Sequence, residues 1–380
     1  MTAIRPYKLN IPTSEIDDLK TRLKSARWLE AETVEDWSQG VPIKYHREFC
    51  DYWANDYNWY KTQDRLNRFG QYKTTIDDLD IHFLHVKSSH ENATPIIITH
   101  GWPGSIMEFH KILGPLAEPT QHGDAAENAF HIVCPSLPGY GFSSKPQKTG
   151  WGVEKIAETW DKLMNRLGYD DYLAQGGDWG SAVTTAIGLQ NKGRCKGIHV
   201  NMPNATAPAE ARENPNEADK KAMSDGLFYQ QWDSGYSKQQ STRPQTLGYG
   251  LADSPIGQSA WILEKFYQWT DCDGHPENVL SRDELIDNIM FYWLTNSGAS
   301  SARLYWESFA SFSTGDNTVE LPTGVSSFPK EVVRTPRTWA EKRYTNIQYW
   351  HDMEKGGHFA AFEQPELFIK EMRNWLKTFD

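Results

Sequence analysis

In Gly176-Gly177-Asp178-Trp179-Gly180 one carboxylate sits among small residues. The apolar Tyr172-Leu173-Ala174 precedes it. Ser181-Ala182-Val183-Thr184-Thr185-Ala186-Ile187 follows, small and β-branched residues able to open a helix packed close on a sheet. Small residues on both sides of a reactive group, between strand and helix, form the pattern of a nucleophile elbow. The usual pattern is G-x-S-x-G; here the middle residue is aspartate. A free Asp has a pKa of about 3.9, so it is ionised near neutrality without help from a base. Attack by a carboxylate on an acyl carbon would give an anhydride. Attack on an electrophilic sp3 carbon gives an ordinary ester, which water can hydrolyse. The residue type therefore points to alkyl transfer, by opening an epoxide or displacing a halide. Alone, the motif reads equally well as a glycine-rich turn, and the rest of the chain has to decide.

An ester on Asp178 needs an activated water, hence a base and an acid to orient it. Of the twelve histidines, His358 combines the right chain order with a tight loop, Gly356-Gly357-His358-Phe359. Elbow enzymes run nucleophile, acid, histidine. Glu331, 27 residues before His358, is the expected acid, because Asp352 and Glu354 fall in the last strand-loop connection. An oxyanion needs backbone donors. The small-residue turn His100-Gly101-Trp102-Pro103-Gly104-Ser105 and the residue after the nucleophile are placed to supply them, through the N–H groups of Trp102 and Trp179. Opening an epoxide leaves an alkoxide, and a tyrosine, protonated at neutral pH, can donate to it. Tyr236 and Tyr305 are candidates, although among 17 tyrosines spacing does not single them out.

The elements that must position these groups read as follows. Residues 1 to about 70 are helical, with Ser14 and Asp17 suggesting an N-cap before Leu19 and Leu23. Asp80 to Val86, Pro95 to Thr99, Phe130 to Cys134 and Gly197 to Pro203 read as strands, and Val153 to Leu167 as a crossover helix. This alternation predicts a parallel sheet with right-handed crossovers. From about 205 to 300 it stops, and an aromatic, helical insertion is expected over the C-terminal edge of the sheet. Sheet signals resume at Val325 to Val332 and Thr345 to Trp350, and Pro365 to Phe379 is a final amphipathic helix.

Composition narrows the function. The net charge of -11, without a basic cluster, argues against nucleic acid as a partner. Cys50, Cys134, Cys195 and Cys272 are far apart, with no C-x-x-C, and read as reduced thiols of a cytoplasmic protein. His82 and His85 point to opposite faces of a strand, so no metal is expected. The apolar runs are strand-sized, and neither a membrane span nor a signal peptide is expected.

Four segments together, His100 to Ser105, Gly176 to Gly180, Phe328-Pro329-Lys330-Glu331 and Gly356 to Phe362, resemble the α/β-hydrolase epoxide hydrolases. The match is to the microsomal branch with its fungal and juvenile-hormone-hydrolysing relatives. Asp36-Trp37 through Gly40-Val41-Pro42, Tyr52-Trp53, Tyr57-Asn58-Trp59 and Leu66-Asn67-Arg68-Phe69 resemble that branch's N-terminal extension. Asp253-Ser254-Pro255 and Ile262-Leu263-Glu264-Lys265-Phe266 resemble its lid. The resemblance implies an α/β-hydrolase fold with a helical lid insertion and a mostly helical N-terminal meander. The expected division is 1–70 meander, 71–204 first part of the core, 205–310 lid and 311–380 second part of the core. It implies Asp178 as nucleophile, Glu331 and His358 as the charge-relay pair, and Tyr236 and Tyr305 as donors to the epoxide oxygen. Trp102, Trp179, Phe228 and Trp232 are expected to bind a substrate that is apolar or aryl. The reaction needs an epoxide and water, with no cofactor. The membrane-anchoring N-terminal helix of the mammalian microsomal enzymes has no counterpart, so a soluble protein is expected, with room for a homodimer. A haloalkane dehalogenase with the same nucleophile, or a catalytically silent ligand-binding relative, are the alternatives.

Overall fold

The computed structural model describes residues 3–308 and 317–379. Among these, nine strands form one sheet: β1 (Arg5–Pro6), β2 (Gln71–Ile76), β3 (Leu79–Val86), β4 (Thr94–Thr99), β5 (Phe130–Pro135), β6 (Tyr172–Gly176), β7 (Cys195–Val200), β8 (Thr323–Ser327) and β9 (Ile347–Asp352). Their order is β1-β2-β3-β5-β4-β6-β7-β8-β9. From β5 to β9 every neighbouring pair is parallel. The sheet is nevertheless mixed, because β1, β2 and β3 pair antiparallel and β3 runs antiparallel to β5. The expected parallel sheet is thus extended by a hairpin. Asp77 and Asp78 both take positive φ (49° and 65°) between the paired residues Ile76 and Leu79. Two left-handed residues close a two-residue hairpin whose twist matches its strands.

Central strands covered on both faces read as unbroken apolar runs. Ile96, Ile97 and Ile98 of β4 are fully buried, as is most of β6. Helices Val153–Arg166 and Asp178–Gln190 pack together against the sheet. Trp160 Nε1 of the first donates to Thr99 Oγ1 at the end of β4, at 3.1 Å. The strand order reverses at β4, and a crevice at the carboxyl ends of the strands is where an open α/β sheet binds ligands.

Between β7 and β8 the chain forms helices Ala209–Glu213, Glu217–Phe228, Gly235–Thr242, Pro244–Asp253, Pro255–Trp269, Arg282–Trp293 and Gly298–Ser308. Two begin with capping boxes, Asn216 with Asp219 and Ser281 with Glu284. Such boxes satisfy amides that a helix start leaves unbonded. The expected lid boundary at 310/311 lies outside the described residues.

The N-terminal helices are Thr13–Lys24, Ile43–Asn55 and Trp59–Leu66. Ser14 is not the cap of the first. Pro12 occupies that position at φ −61°, without a side-chain hydrogen bond, and Ser14 is already helical. Proline's fixed φ defines this boundary without a capping hydroxyl. These helices bond to the inserted ones: His46 Nε2 lies 2.8 Å from Ser259 Oγ. Tyr57, Thr62 and Arg65 all bond the Asp287 carboxylate.

The four cysteines are buried and unpaired. Among the described residues no helix is long and apolar enough to cross a membrane. None of their His, Cys, Asp and Glu side chains gather in a group of three able to hold a metal ion. His82 sits 3.0 Å from both Ser136 Oγ and Gln71 Oε1, and burial pushes its pKa down to about 3.

Candidate active site

β6 ends at Gly176, and a helix begins two residues later with Asp178 at φ +51°. That left-handed conformation is costly for a non-glycine residue and is held only by its surroundings. The surroundings leave no room for side chains. A Cβ on Gly176 would lie 2.1 Å from the Gly180 carbonyl oxygen, and one on Gly180 would lie 1.9 Å from that of Thr99. The turn after β4 closes over the carboxylate: a Cβ on Gly101 would lie 2.0 Å from Asp178 Oδ1. The Trp102 amide donates to that oxygen at 2.7 Å. Trp179 follows in the first turn of the helix, where backbone amides point out of the helix end.

The acid and histidine loops are stitched together. Lys330 N–H donates to the Gly356 carbonyl at 3.1 Å, and Lys330 and Gly357 form an isolated parallel bridge. His358 Nδ1 thereby meets Glu331 Oε1 in a short hydrogen bond. The same carboxylate oxygen accepts the Val332 amide at 2.8 Å. His358 Nε2 lies 3.2 Å from Asp178 Oδ2. Burial alone would push the imidazole pKa down. The Glu331 charge, then the hydrogen bond and charge of Asp178, outweigh it, and the pKa is raised well above its ordinary value.

The inserted helices bring two tyrosines over this group. Tyr236 stacks on Trp102 with ring centroids 4.9 Å apart and planes 8° apart. Tyr305 packs edge-on against Trp179 at 4.8 Å and against Tyr236 at 5.7 Å. Burial raises both phenol pKa values well above 10, so both stay protonated at neutral pH. Asp178, His358, Tyr236 and Tyr305 line one cavity of about 230 Å³. Its apolar wall includes Trp179, Met202, Val332, Val333 and Trp269.

The structure thus brings Asp178, Glu331, His358, Tyr236, Tyr305, Trp102 and Trp179 together. It does not place all the expected binding aromatics in the cavity. Phe228 and Trp232 are 51% and 80% exposed and line no part of it. The helix ending at Phe228 runs into a π-turn, Tyr229–Asp233, that aims Tyr229 and Asp233 inward and leaves Trp232 outside. Trp102 lies beneath Tyr236 and does not line the cavity, so of the four only Trp179 does. Sequence reasoning missed Tyr229, whose hydroxyl is 3.1 Å from that of Tyr236, and the Met202 and Val332–Val333 walls. Their signal was position: Met202 follows β7 directly, and Val332 follows the acid.

Two buried carboxyls flank the site. Burial pushes Glu108, beside the 101–105 turn, up to about 8 and Glu363, under the histidine loop, up to about 7. A largely neutral Glu108 adds little negative charge next to Asp178 at pH 7. The arrangement sets one carboxylate beside a glutamate-paired imidazole, under two protonated phenols, at an apolar cavity.

Comparison with known proteins gives the family. The family profile "Epoxide hydrolase N terminus" matches residues 4–109, and "alpha/beta hydrolase fold" matches residues 94–236. The "Putative epoxide hydrolase" of Stigmatella aurantiaca is 50% identical over 370 residues, 97% of this chain and 84% of its own. Epoxide hydrolase 1 of Sus scrofa is 36% identical over 98% of this chain and 88% of its own. The crystal structure of juvenile hormone epoxide hydrolase from the silkworm Bombyx mori superposes with a TM-score of 0.91 at 31% identity, over 100% of this chain and 95% of that one. With this similarity spanning nearly its whole length, the chain belongs to the epoxide hydrolases of the α/β-hydrolase fold.

Proposed function

We propose that the protein converts an epoxide to a vicinal diol through a covalent ester on Asp178. Asp178 Oδ2, the oxygen not held by the Trp102 amide, attacks an epoxide carbon. The C–O bond breaks, its electrons go to the ring oxygen, and Tyr236 or Tyr305 gives that oxygen a proton. His358, oriented by Glu331, then takes a proton from water as the hydroxide adds to Asp178 Cγ. The resulting oxyanion, on Oδ1, sits against the N–H groups of Trp102 and Trp179. On collapse the bond from Asp178 Cγ to the product oxygen breaks, and the proton of the added hydroxyl passes to that leaving oxygen. The diol departs from the restored carboxylate, and the proton on His358 returns through the site to the tyrosinate. The sum is epoxide plus water to diol.

The observation that carries this reading is the position of Asp178. Its carboxylate lies between an amide donor on one oxygen and a glutamate-paired imidazole beside the other. The apolar wall of Met202, Val332, Val333, Trp179 and Trp269 supports an apolar or aryl substrate. Four buried, unpaired thiols support a reducing, cytoplasmic compartment.

A single turnover in 18O water, with enzyme in excess over an aryl epoxide, tests the proposal. Mass spectrometry should find unlabelled diol and 18O in the peptide carrying Asp178. Labelled diol with an unlabelled peptide would mean direct attack by water. Bromide release from a bromoalkane without epoxide turnover would replace the reading with a dehalogenase.

A further inference from the structure

Lys265 is 3% exposed, in the helix Pro255–Trp269. Lysine is almost never this buried without partners. Its ammonium donates to Asp233 Oδ1 at 2.7 Å and lies 2.8 Å from Glu264 Oε2. It also sits over two aromatic faces, 4.6 Å from the Tyr236 ring centroid and 5.3 Å from that of Trp269. Trp269 completes the set. Its Nε1 donates to Asp233 Oδ2 at 2.6 Å, and its ring meets Tyr236 at 5.1 Å and His358 at 5.1 Å.

A buried ion pair of this kind is a weak stabiliser, because desolvating two charges offsets most of their attraction. Its placement serves another end. When Tyr236 gives up its proton, the negative charge of the phenolate spreads into the ring. The ammonium lies over that ring in a space that excludes water. Its attraction for neutral phenol is a modest cation–π contact. Its attraction for a developing phenolate is larger, so the interaction strengthens as the epoxide opens. We propose that Lys265 is a positioning residue that electrostatically supports proton donation by Tyr236, held over the ring by Asp233, Glu264 and Trp269. The proposal rests on the catalytic reading given above.

A double-mutant cycle on the rate of ester formation tests it. Parent, Lys265→Met, Tyr236→Phe and the double variant are mixed in excess with an aryl epoxide, and tryptophan fluorescence follows the ester. With Tyr236 present, Lys265→Met should slow ester formation about 20-fold. With Tyr236→Phe it should slow it less than about twofold, because the two groups act through one another. In either background Lys265→Met should leave the rate of ester hydrolysis unchanged. Equal slowing in both backgrounds, or no slowing in the first, overturns the proposal. Lys265→Met also strands the Asp233 charge. The cycle is therefore repeated with Asp233→Asn/Lys265→Met, where the same dependence on Tyr236 is expected and its absence overturns the proposal. If the parent forms no ester on Asp178, the catalytic reading falls and this inference with it. If the ester forms and the cycle is additive, only the role of Lys265 falls.

Discussion

His358 Nε2 lies 3.2 Å from Asp178 Oδ2, while the Trp102 amide holds the other carboxylate oxygen at 2.7 Å. The two oxygens are therefore inequivalent before any substrate arrives. The imidazole is lifted well above its ordinary pKa because Glu331 and Asp178 together outweigh burial. In the proposed mechanism, an ester at Oδ2 removes the Asp178 charge and leaves burial and Glu331. The imidazole pKa must then fall, which frees the base for the step that needs it. The isosteric, uncharged Asp178→Asn imitates this. By 15N NMR titration His358 should lose its proton at lower pH in Asp178→Asn than in the parent. An equal or higher titration point would break the link between the two steps. In the parent, ester hydrolysis should speed up as pH rises through the lowered pKa.

Tyr236 and Tyr305 meet over Asp178 from two different helices, with ring centroids 5.7 Å apart. Either can hold the ring oxygen if the other is lost. Tyr236→Phe and Tyr305→Phe should each slow ester formation about 100-fold, in line with loss of a general acid. The double variant should form no ester on the time scale of the parent. Rapid-quench mass spectrometry of the Asp178 peptide checks this. Variants as fast as the parent would take the tyrosines out of the reaction.

The elbow turn and the meeting of Glu331 with His358 were legible because each is tied to a backbone shape that its neighbours encode. Gly176 and Gly180 are small because carbonyl oxygens lie about where their Cβ atoms would be. Gly356 takes φ +106° and turns the chain toward His358. Such constraints are local. Which lid aromatics face inward is not. Trp232 and Tyr229 both lie in Tyr229–Asp233, and only the π-turn there decides that one is solvent-exposed and the other lines the cavity. Lys265 in Leu263-Glu264-Lys265-Phe266 looks like a surface charge until its helix is packed. The antiparallel hairpin was hidden for a related reason. Asp77-Asp78 lacks glycine, and the lysines that pair with the Asp77 carboxylate, Lys155 and Lys162, come from a distant helix.

Two glycines of the site should fail in different ways. At Gly180 a methyl group would strike the backbone of Thr99, which cannot move without the strand. Gly180→Ala should destabilise the fold by at least about 3 kcal/mol. At Gly101 the methyl group would strike Asp178 at Oδ1 and at Cβ, 2.0 and 2.4 Å away; rotation of the side chain can clear the first, but the second yields only if the elbow backbone shifts. Gly101→Ala should lose stability as well, and its folded enzyme should form ester about 100-fold more slowly, because the carboxylate leaves its amide. Thermal unfolding and single-turnover rates measured on both variants separate the cases. An unslowed Gly101→Ala would mean that Gly101 accommodates the turn alone and not the Asp178 carboxylate.

Asp287, 1% exposed on the helix Arg282–Trp293, is a point at which the N-terminal helices hold the insertion. Its Oδ1 accepts the Tyr57 and Thr62 hydroxyls, each at 2.6 Å, and its Oδ2 accepts Arg65 at 2.6 Å. Removing the carboxylate strands two buried hydroxyls and a guanidinium at once, whereas removing a surface charge strands nothing. Asp287→Ala should therefore cost about 3 kcal/mol. For a chain of 380 residues that corresponds to a fall in Tm of about 4 °C. Arg22 also joins the N-terminal region to the insertion, through Asp253, but the pair is exposed. Arg22→Ala should leave Tm within about 1 °C of the parent, since exposed pairs contribute little. Differential scanning calorimetry of the two variants side by side decides it. Equal shifts would mean that the joint is spread over the surface and is not concentrated at Asp287.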